Sequence, residues 1–78
     1  MTRNYLSGSI KKALIIIECV GKSPNPLKAS QVASITKLDR ATAFRILTYL
    51  VSLGYIFKDT KNNLYSLGHK IFEFGDKS

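Results

Sequence analysis

Apolar residues in the first third of the chain recur at the spacing of one helical face. The stripe follows Ser9, which is a good N-cap residue, and the segment ends at Gly21, a typical residue at a helix C-terminus. The members of the stripe are Ile10, Ala13, Leu14, Ile17 and Val20. Three more apolar residues, Ile15, Ile16 and Cys19, lie off it, so the predicted helix is apolar over more of its circumference than one buried face requires. The pattern indicates a second buried surface, which is either a homodimer contact or a contact with the rest of the domain.

Two shorter helices are predicted in the middle of the chain, after the proline-containing connector 23–26. Ser30 is the candidate N-cap of the first of these helices, which ends near Lys37, where the apolar spacing breaks. Asp39 is the candidate N-cap of the second, which ends at Gly54. The apolar stripe of this second helix comprises Ala43, Ile46, Leu47, Leu50 and Val51. Two helices joined by about three to four residues form a helix-turn-helix.

After Gly54 the pattern becomes strand-like. The segments 55–59 and 64–67 are rich in β-branched and aromatic residues, and Asn62 and Asn63 between them tolerate the left-handed backbone of a tight connection. A helical turn or two follows Gly68 and precedes Gly75. The sequence therefore predicts a mainly α fold with a small β-hairpin (α+β): a winged helix-turn-helix with a three-helix core, a wing and a short C-terminal helix.

Length and charge narrow the class of protein further. The chain has 78 residues, enough for a single domain over 1–78, and carries 12 Lys and Arg against 5 Asp and Glu, a net charge of +7. Such a basic domain favours a polyanionic partner, although net charge does not separate DNA from RNA or an anionic lipid surface.

The sequence lacks the residue combinations that enzymes use for catalysis or for binding metals and phosphates. Cys19 lies on an apolar helix far along the chain from His69, the acids are scattered, and no glycine-rich phosphate loop or metal-ligand spacing occurs. We therefore expect no enzymatic activity, no cofactor, no metal and no small-molecule ligand in this domain.

The single cysteine indicates a reducing compartment, and the longest apolar run, Ala13–Ile17, is far short of the roughly 20 residues of a membrane span. The predicted location is cytoplasmic, without membrane contact.

The outward face of the helix after Asp39 is the candidate nucleic-acid surface. It is small, polar and cationic near the helix start, which suits entry into the DNA major groove, where Arg pairs with guanine and Thr contacts a thymine methyl or a phosphate. Hairpin lysines are placed for the sugar-phosphate backbone, or they serve solubility alone. The candidate DNA-binding residues are Arg40, Ala41, Thr42, Arg45, Ser30, Lys37, Lys58 and Lys61. The candidate homodimer contact, for binding a pseudo-palindromic operator, comprises Ile15, Ile16 and Cys19.

Five stretches of the sequence are similar to those of a known family of domains. They are Ser9–Leu14, Pro26–Leu27, Leu38–Leu47, Leu53–Ile56 and Tyr65–Gly75. Together they resemble the DNA-binding domain of the IclR family of prokaryotic transcriptional regulators. The resemblance implies that Thr42 and Arg45 contact DNA, that the protein binds operators as a dimer or a dimer of dimers, and that residues 68–75 begin a linker helix to a C-terminal effector domain.

Three departures from the family pattern are visible. The effector domain is absent from this chain, which is therefore either an excised domain or a regulator without ligand control. Leu64 stands where the family often has an arginine at the wing, and Gln31 stands where glutamate is common. The predicted function is sequence-specific binding of double-stranded DNA that regulates transcription by occupying an operator. The alternatives are a winged helix that binds another protein without specific DNA binding, and an RNA-binding accessory domain.

Overall fold

Four helices and one hairpin follow one another in the predicted order. A computed structural model of the protein describes residues 4–76, and its side chains from residue 8 onward. The elements are α1 (Asn4–Lys22), α2 (Ala29–Thr36), α3 (Arg40–Leu53), β1 (Ile56–Asp59), β2 (Leu64–Leu67) and α4 (His69–Asp76). This arrangement confirms the predicted winged helix-turn-helix. No helix within residues 4–76 has the length and hydropathy needed to cross a membrane.

The core forms where α1, α2, α3 and the hairpin meet. Its buried side chains are Ile16, Val20, Leu27, Val32, Leu47, Leu50, Ile56 and Tyr65. On α3 the predicted stripe is confirmed, because Ala43, Leu47 and Leu50 are buried and two flanking members are half-buried. Burial of these aliphatic side chains and of the Tyr65 ring supplies the main driving force for folding.

Helix α1 presents a different face to the core from the one predicted. Ile10 is 64% exposed and Leu14 is 55% exposed, so the predicted inward stripe is wrong at these two positions. Ile16 is 0% exposed and cannot reach a second chain, which corrects its assignment to a homodimer contact. Cys19 is half-buried against the core, and Ile15 is half-buried. Because apolar residues surround much of this helix, several faces satisfied the helical spacing and only packing selected one.

Two predicted helix starts are also wrong. Helix α1 begins at Asn4, well before Ser9, and it continues past Gly21 to Lys22. Helix α2 begins at Ala29, so Ser30 lies inside its first turn. The N-cap residue is Lys28, whose backbone N–H donates to the Gln31 side-chain oxygen at 2.8 Å. Gln31 at the third helical position thus supplies half of a capping box, and Lys28 occupies the N-cap position that was predicted for Ser30.

The turn between α2 and α3 and the end of α3 are fixed by local chemistry. Lys37 adopts a left-handed backbone (φ 61°) at the end of α2, and its N–H bonds back to Ser34 at 3.3 Å. Gly54 ends α3 in the same region (φ 90°), as predicted. Left-handed caps of this kind close the last helical turn, and they set the angle at which the next element leaves.

The wing is an antiparallel hairpin tied to the helical core. Its register pairs Ile56 with Leu67, and Tyr65 forms a bridge to Leu27 through backbone hydrogen bonds of 2.7 and 3.0 Å. At the tip, the Asp59 carboxylate accepts hydrogen bonds from the Lys61 N–H and the Asn62 amide, both at 3.0 Å. Asn63 takes the left-handed conformation (φ 58°) that its residue type tolerates. These bonds hold the loop that carries Lys61.

Gly68 allows the start of α4 to lie directly on the end of α3. A Cβ atom at this position would collide with the backbone oxygen of Gly54 and the nitrogen of Ile56. The Gly68 N–H donates to the Tyr55 carbonyl at 2.8 Å, and the Tyr55 ring lies 6.3 Å from the ring of Phe74. Helix α4 therefore leaves the domain along a path set by backbone contact.

Candidate nucleic-acid interface

The outer face of α3 is open to solvent along its whole length. Ala41, Arg45, Thr48 and Ser52 are exposed and recur at the spacing of one helical face. Arg40, at the first position of the helix, is exposed as well. The helix therefore presents short polar side chains and two guanidinium groups opposite its buried stripe, the orientation that the sequence predicted.

Asp39 and Thr42 form a cap that shapes the start of this surface. The Asp39 carboxylate accepts from the Thr42 N–H at 3.0 Å and from the Thr42 hydroxyl at 2.7 Å. These hydrogen bonds, with the nearby positive charge of Arg45, hold the pKa of Asp39 below its usual value. The hydroxyl proton of Thr42 is thereby committed to Asp39, so this hydroxyl is not free to donate to another group.

The remaining predicted site residues are distributed over three elements. Ser30 is exposed in the first turn of α2, and Lys37 is exposed in the turn that joins α2 to α3. Lys61 is exposed at the tip of the wing. Lys58 is half-buried, with its ammonium nitrogen over the rings of Phe44 and Tyr65. The α3 residues thus share one surface, whereas Lys58 is held against aromatic groups.

A groove of about 750 Å³ runs between α1 and α3 beside this surface. Ser9 and Lys12 line it from α1, and Thr42, Arg45 and Tyr49 line it from α3. Lys12 is a cation beside the outer face of α3 that sequence reasoning missed. The signal in the sequence was the pair Lys11-Lys12, but their placement depends on the rotation of α1, which the apolar pattern did not determine.

The family of the chain follows from the comparison with known domains. The family model of the IclR helix-turn-helix domain matches residues 9–60, a span from the middle of α1 to the end of β1. The chain belongs to the IclR family. This IclR domain is a DNA-binding module of transcription regulation.

Curated relatives agree with this assignment. The p-hydroxybenzoate hydroxylase transcriptional activator of Acinetobacter baylyi is 34% identical over 73 residues, which is 94% of this chain and 26% of that protein. The HTH-type transcriptional regulator XynR of Escherichia coli is 30% identical over 67 residues, or 86% of this chain and 27% of that protein. The relatives of this IclR domain are transcriptional regulators.

Solved structures show the same fold. An IclR family transcriptional regulator from Brucella abortus matches with a TM-score of 0.78 and 30% identity, over 86% of this chain and 25% of that chain. The IclR of Thermotoga maritima matches with a TM-score of 0.78 and 25% identity, over 87% of this chain and 27% of that chain. The IclR domain described here spans about a quarter of the length of these relatives.

Proposed function

We propose that this IclR domain binds double-stranded DNA sequence-specifically, with α3 in the major groove, and regulates transcription by occupying an operator. The observation that carries the proposal is the exposed outer face of α3, which presents Arg40 and Arg45 near the helix start. In the sequence from Lys22 to Lys58 the only acid is Asp39, and its carboxylate is turned to the helix cap. A cationic helix start with small neighbours fits a groove lined by phosphates.

The residues divide between base contacts and phosphate contacts. Arg40, Thr42 and Arg45 lie in the first turns of α3, the part of a recognition helix that reaches bases, and Ala41 keeps that approach close. Ser30, Lys37 and Lys61 are exposed around α3, at the start of α2, in the helix-turn-helix turn and at the wing tip. Their hydroxyl and ammonium groups serve as donors to the sugar-phosphate backbone.

The salt dependence of DNA binding tests this function. The two exposed lysines assigned to the sugar-phosphate backbone, Lys37 and Lys61, should each displace about one counterion, so the slope of log affinity against log salt is expected near about −2. The measurement is fluorescence anisotropy with a mixed-sequence DNA duplex at several salt concentrations. A duplex RNA of the same length should compete poorly, because an A-form major groove is too narrow for α3. Undetectable binding at low salt, or equal competition by the RNA, would contradict the proposal.

We also propose that the domain acts as a homodimer joined through α1. The outer face of α1 carries the exposed residues Ile10 and Leu14 and the half-buried Ile15. Lys11 and Glu18 flank these apolar residues, and all five line one shallow depression. Ile15 thus keeps its predicted role, whereas Ile16 and Cys19 face the core.

The charges on this face are self-complementary under two-fold symmetry. Lys11 and Glu18 are seven residues apart, so both lie on one side of the helix, with Leu14 and Ile15 between them. When two such helices pair antiparallel, Lys11 meets Glu18 of the partner subunit, and the apolar residues meet at the axis. A dimer of this kind presents two copies of α3 to half-sites that lie about 34 Å apart on a pseudo-palindrome.

Charge reversal provides the test of the dimer. In the dimer, positions 11 and 18 of the two subunits face each other at two symmetry-related places. The single variants Lys11→Glu and Glu18→Lys each put like charges at both places, so each should dimerise about tenfold more weakly than the unmodified chain. An equimolar mixture should recover the association, because one variant then carries two acids on this face and the other two lysines. Sedimentation equilibrium measures all three samples. A mixture that associates no better than its components would place the dimer contact elsewhere.

Helix α4 fits the start of the linker helix of the family. Its residues Phe72 and Phe74 are 62% and 58% exposed, an apolar surface suited to packing against further protein. We propose that α4 leads to a C-terminal effector domain, and that the regulator acts on DNA in the cytoplasm of a prokaryotic cell.

A further inference from the structure

Lys58 of β1 holds its ammonium group between two aromatic rings. The Nζ atom lies 5.7 Å from the ring centroid of Phe44 and 5.5 Å from that of Tyr65. Both distances fall within the roughly 6 Å over which a cation is attracted to a ring face. Phe44 belongs to α3 and Tyr65 to β2, so this one side chain joins the wing strands to the recognition helix.

The two rings differ in how firmly they are held. Tyr65 is opposite Lys58 in the hairpin register, is 2% exposed, and forms backbone hydrogen bonds to Leu27 in both directions. Phe44 is 50% exposed on the flank of α3 that faces the wing, so part of its ring is open to another group. The lysine thus connects a ring anchored in the core with a ring on the DNA-reading helix.

The acid next to Lys58 in the sequence is engaged elsewhere. The Asp59 carboxylate accepts hydrogen bonds from the Lys61 N–H and the Asn62 amide, which hold the tip of the wing. Asp59 and Lys58 therefore have separate structural roles: the acid orders the loop, and the lysine meets the rings. Lys61 is the lysine that the ordered loop displays to solvent.

We propose that Lys58 is a positioning residue that locks the wing against the recognition helix and does not itself contact a DNA phosphate. The inference rests on the proposed function in that α3 and the wing meet the same duplex. A two-stranded hairpin has marginal stability by itself, so its orientation depends on contacts with the helices. The lock keeps Lys61 at a fixed distance from α3, which lowers the entropy lost when both reach the DNA.

Hydrogen exchange in the DNA-free protein tests the lock directly. In Lys58→Ala the amides of Leu27 and Tyr65 should exchange roughly threefold to tenfold faster, the effect implied by the loss of cation–π contacts. The amide of Ala43 in α3 serves as the internal reference. Lys58→Arg should restore slow exchange, because a guanidinium also stacks on ring faces. Phe44→Leu should reproduce the Lys58→Ala effect, and combining the two changes should add little.

Salt dependence of DNA binding distinguishes a lock from a phosphate contact, with Lys61→Ala as the matched lysine control. Lys58→Ala should weaken binding without changing the slope of log affinity against log salt. Lys61→Ala should reduce the magnitude of that slope by about 0.9, with exchange at Leu27 and Tyr65 unaltered. A similar loss of slope in Lys58→Ala, with unchanged exchange, would overturn the proposal. Because the exchange measurement needs no DNA, it decides the lock even if the domain fails to bind a duplex.

Discussion

Replacement of Ile16 by alanine is expected to lower the free energy of unfolding by about 2–5 kcal/mol, measured by urea or thermal denaturation. Ile16 is 0% exposed and belongs to the core cluster that includes Leu47 and Ile56, so truncation removes apolar contacts and leaves a cavity. A domain of 78 residues has a total stability of roughly 4–12 kcal/mol. The variant should therefore unfold at a clearly lower temperature and at a lower urea concentration.

Ile35→Ala is the matched control for this prediction. It makes the same chemical change on α2, at a side chain that is 59% exposed, and should alter the stability by no more than about 0.5 kcal/mol. Equal stability of the Ile16→Ala variant and the unmodified protein, together with weaker self-association, would place Ile16 at an interface and contradict its burial. This pair of variants therefore distinguishes burial in the core from a homodimer contact, the two alternatives that the sequence of α1 allowed.

Arg45→Ala should weaken binding to a selected operator by about tenfold to a hundredfold, the loss expected for one bidentate base contact. Arg45 is exposed at the centre of the outer face of α3, and alanine is the residue most compatible with a helix, so the fold should be retained. The measurement is fluorescence anisotropy with an operator isolated from random duplex sequence, compared with a scrambled duplex of the same composition. Binding to the scrambled duplex should fall less than binding to the operator.

Arg45→Lys separates the charge of this residue from its geometry. Lysine keeps the positive charge but lacks the planar pair of donors, so the salt slope should remain and the preference for the operator should shrink. A full preference in Arg45→Lys would show that Arg45 acts through charge alone. Unchanged affinity in both variants would remove α3 from the base-reading role and favour a protein-binding use of the fold.

Local chemistry explains why most of the fold was predictable. Asp39 ends the turn before α3 because its carboxylate accepts from the Thr42 N–H, which has no partner within the helix, and this depends on residues three positions apart. Gly54 and Asn63 adopt left-handed conformations that their residue types allow, so the end of α3 and the wing turn are visible in the sequence. The outer face of α3 was also predictable, because the apolar stripe of this helix follows one helical face and the outer face lies opposite it.

The start of helix α1 and the face that it buries were not predictable from the sequence. The helix begins at Asn4, so Ser9, the predicted N-cap residue, lies within it. Its apolar residues satisfy the helical spacing on more than one face, so Ile10 and Leu14 were placed inward and Ile16 outward. Packing against α2, α3 and the hairpin determines which face of α1 is buried, because these elements cover the side that contains Ile16 and Val20.

The sequence by itself determined the order of the elements, the winged helix-turn-helix class, the basic outer face of α3 and the family resemblance. Each of these depends on residues close together in the chain, where caps, turns and periodic stripes act. Only the tertiary structure decided which face of α1 is buried, that Lys12 borders the outer face of α3, and that Lys58 lies between Phe44 and Tyr65. These features join residues far apart in sequence, and packing selects among arrangements that the local pattern allows equally.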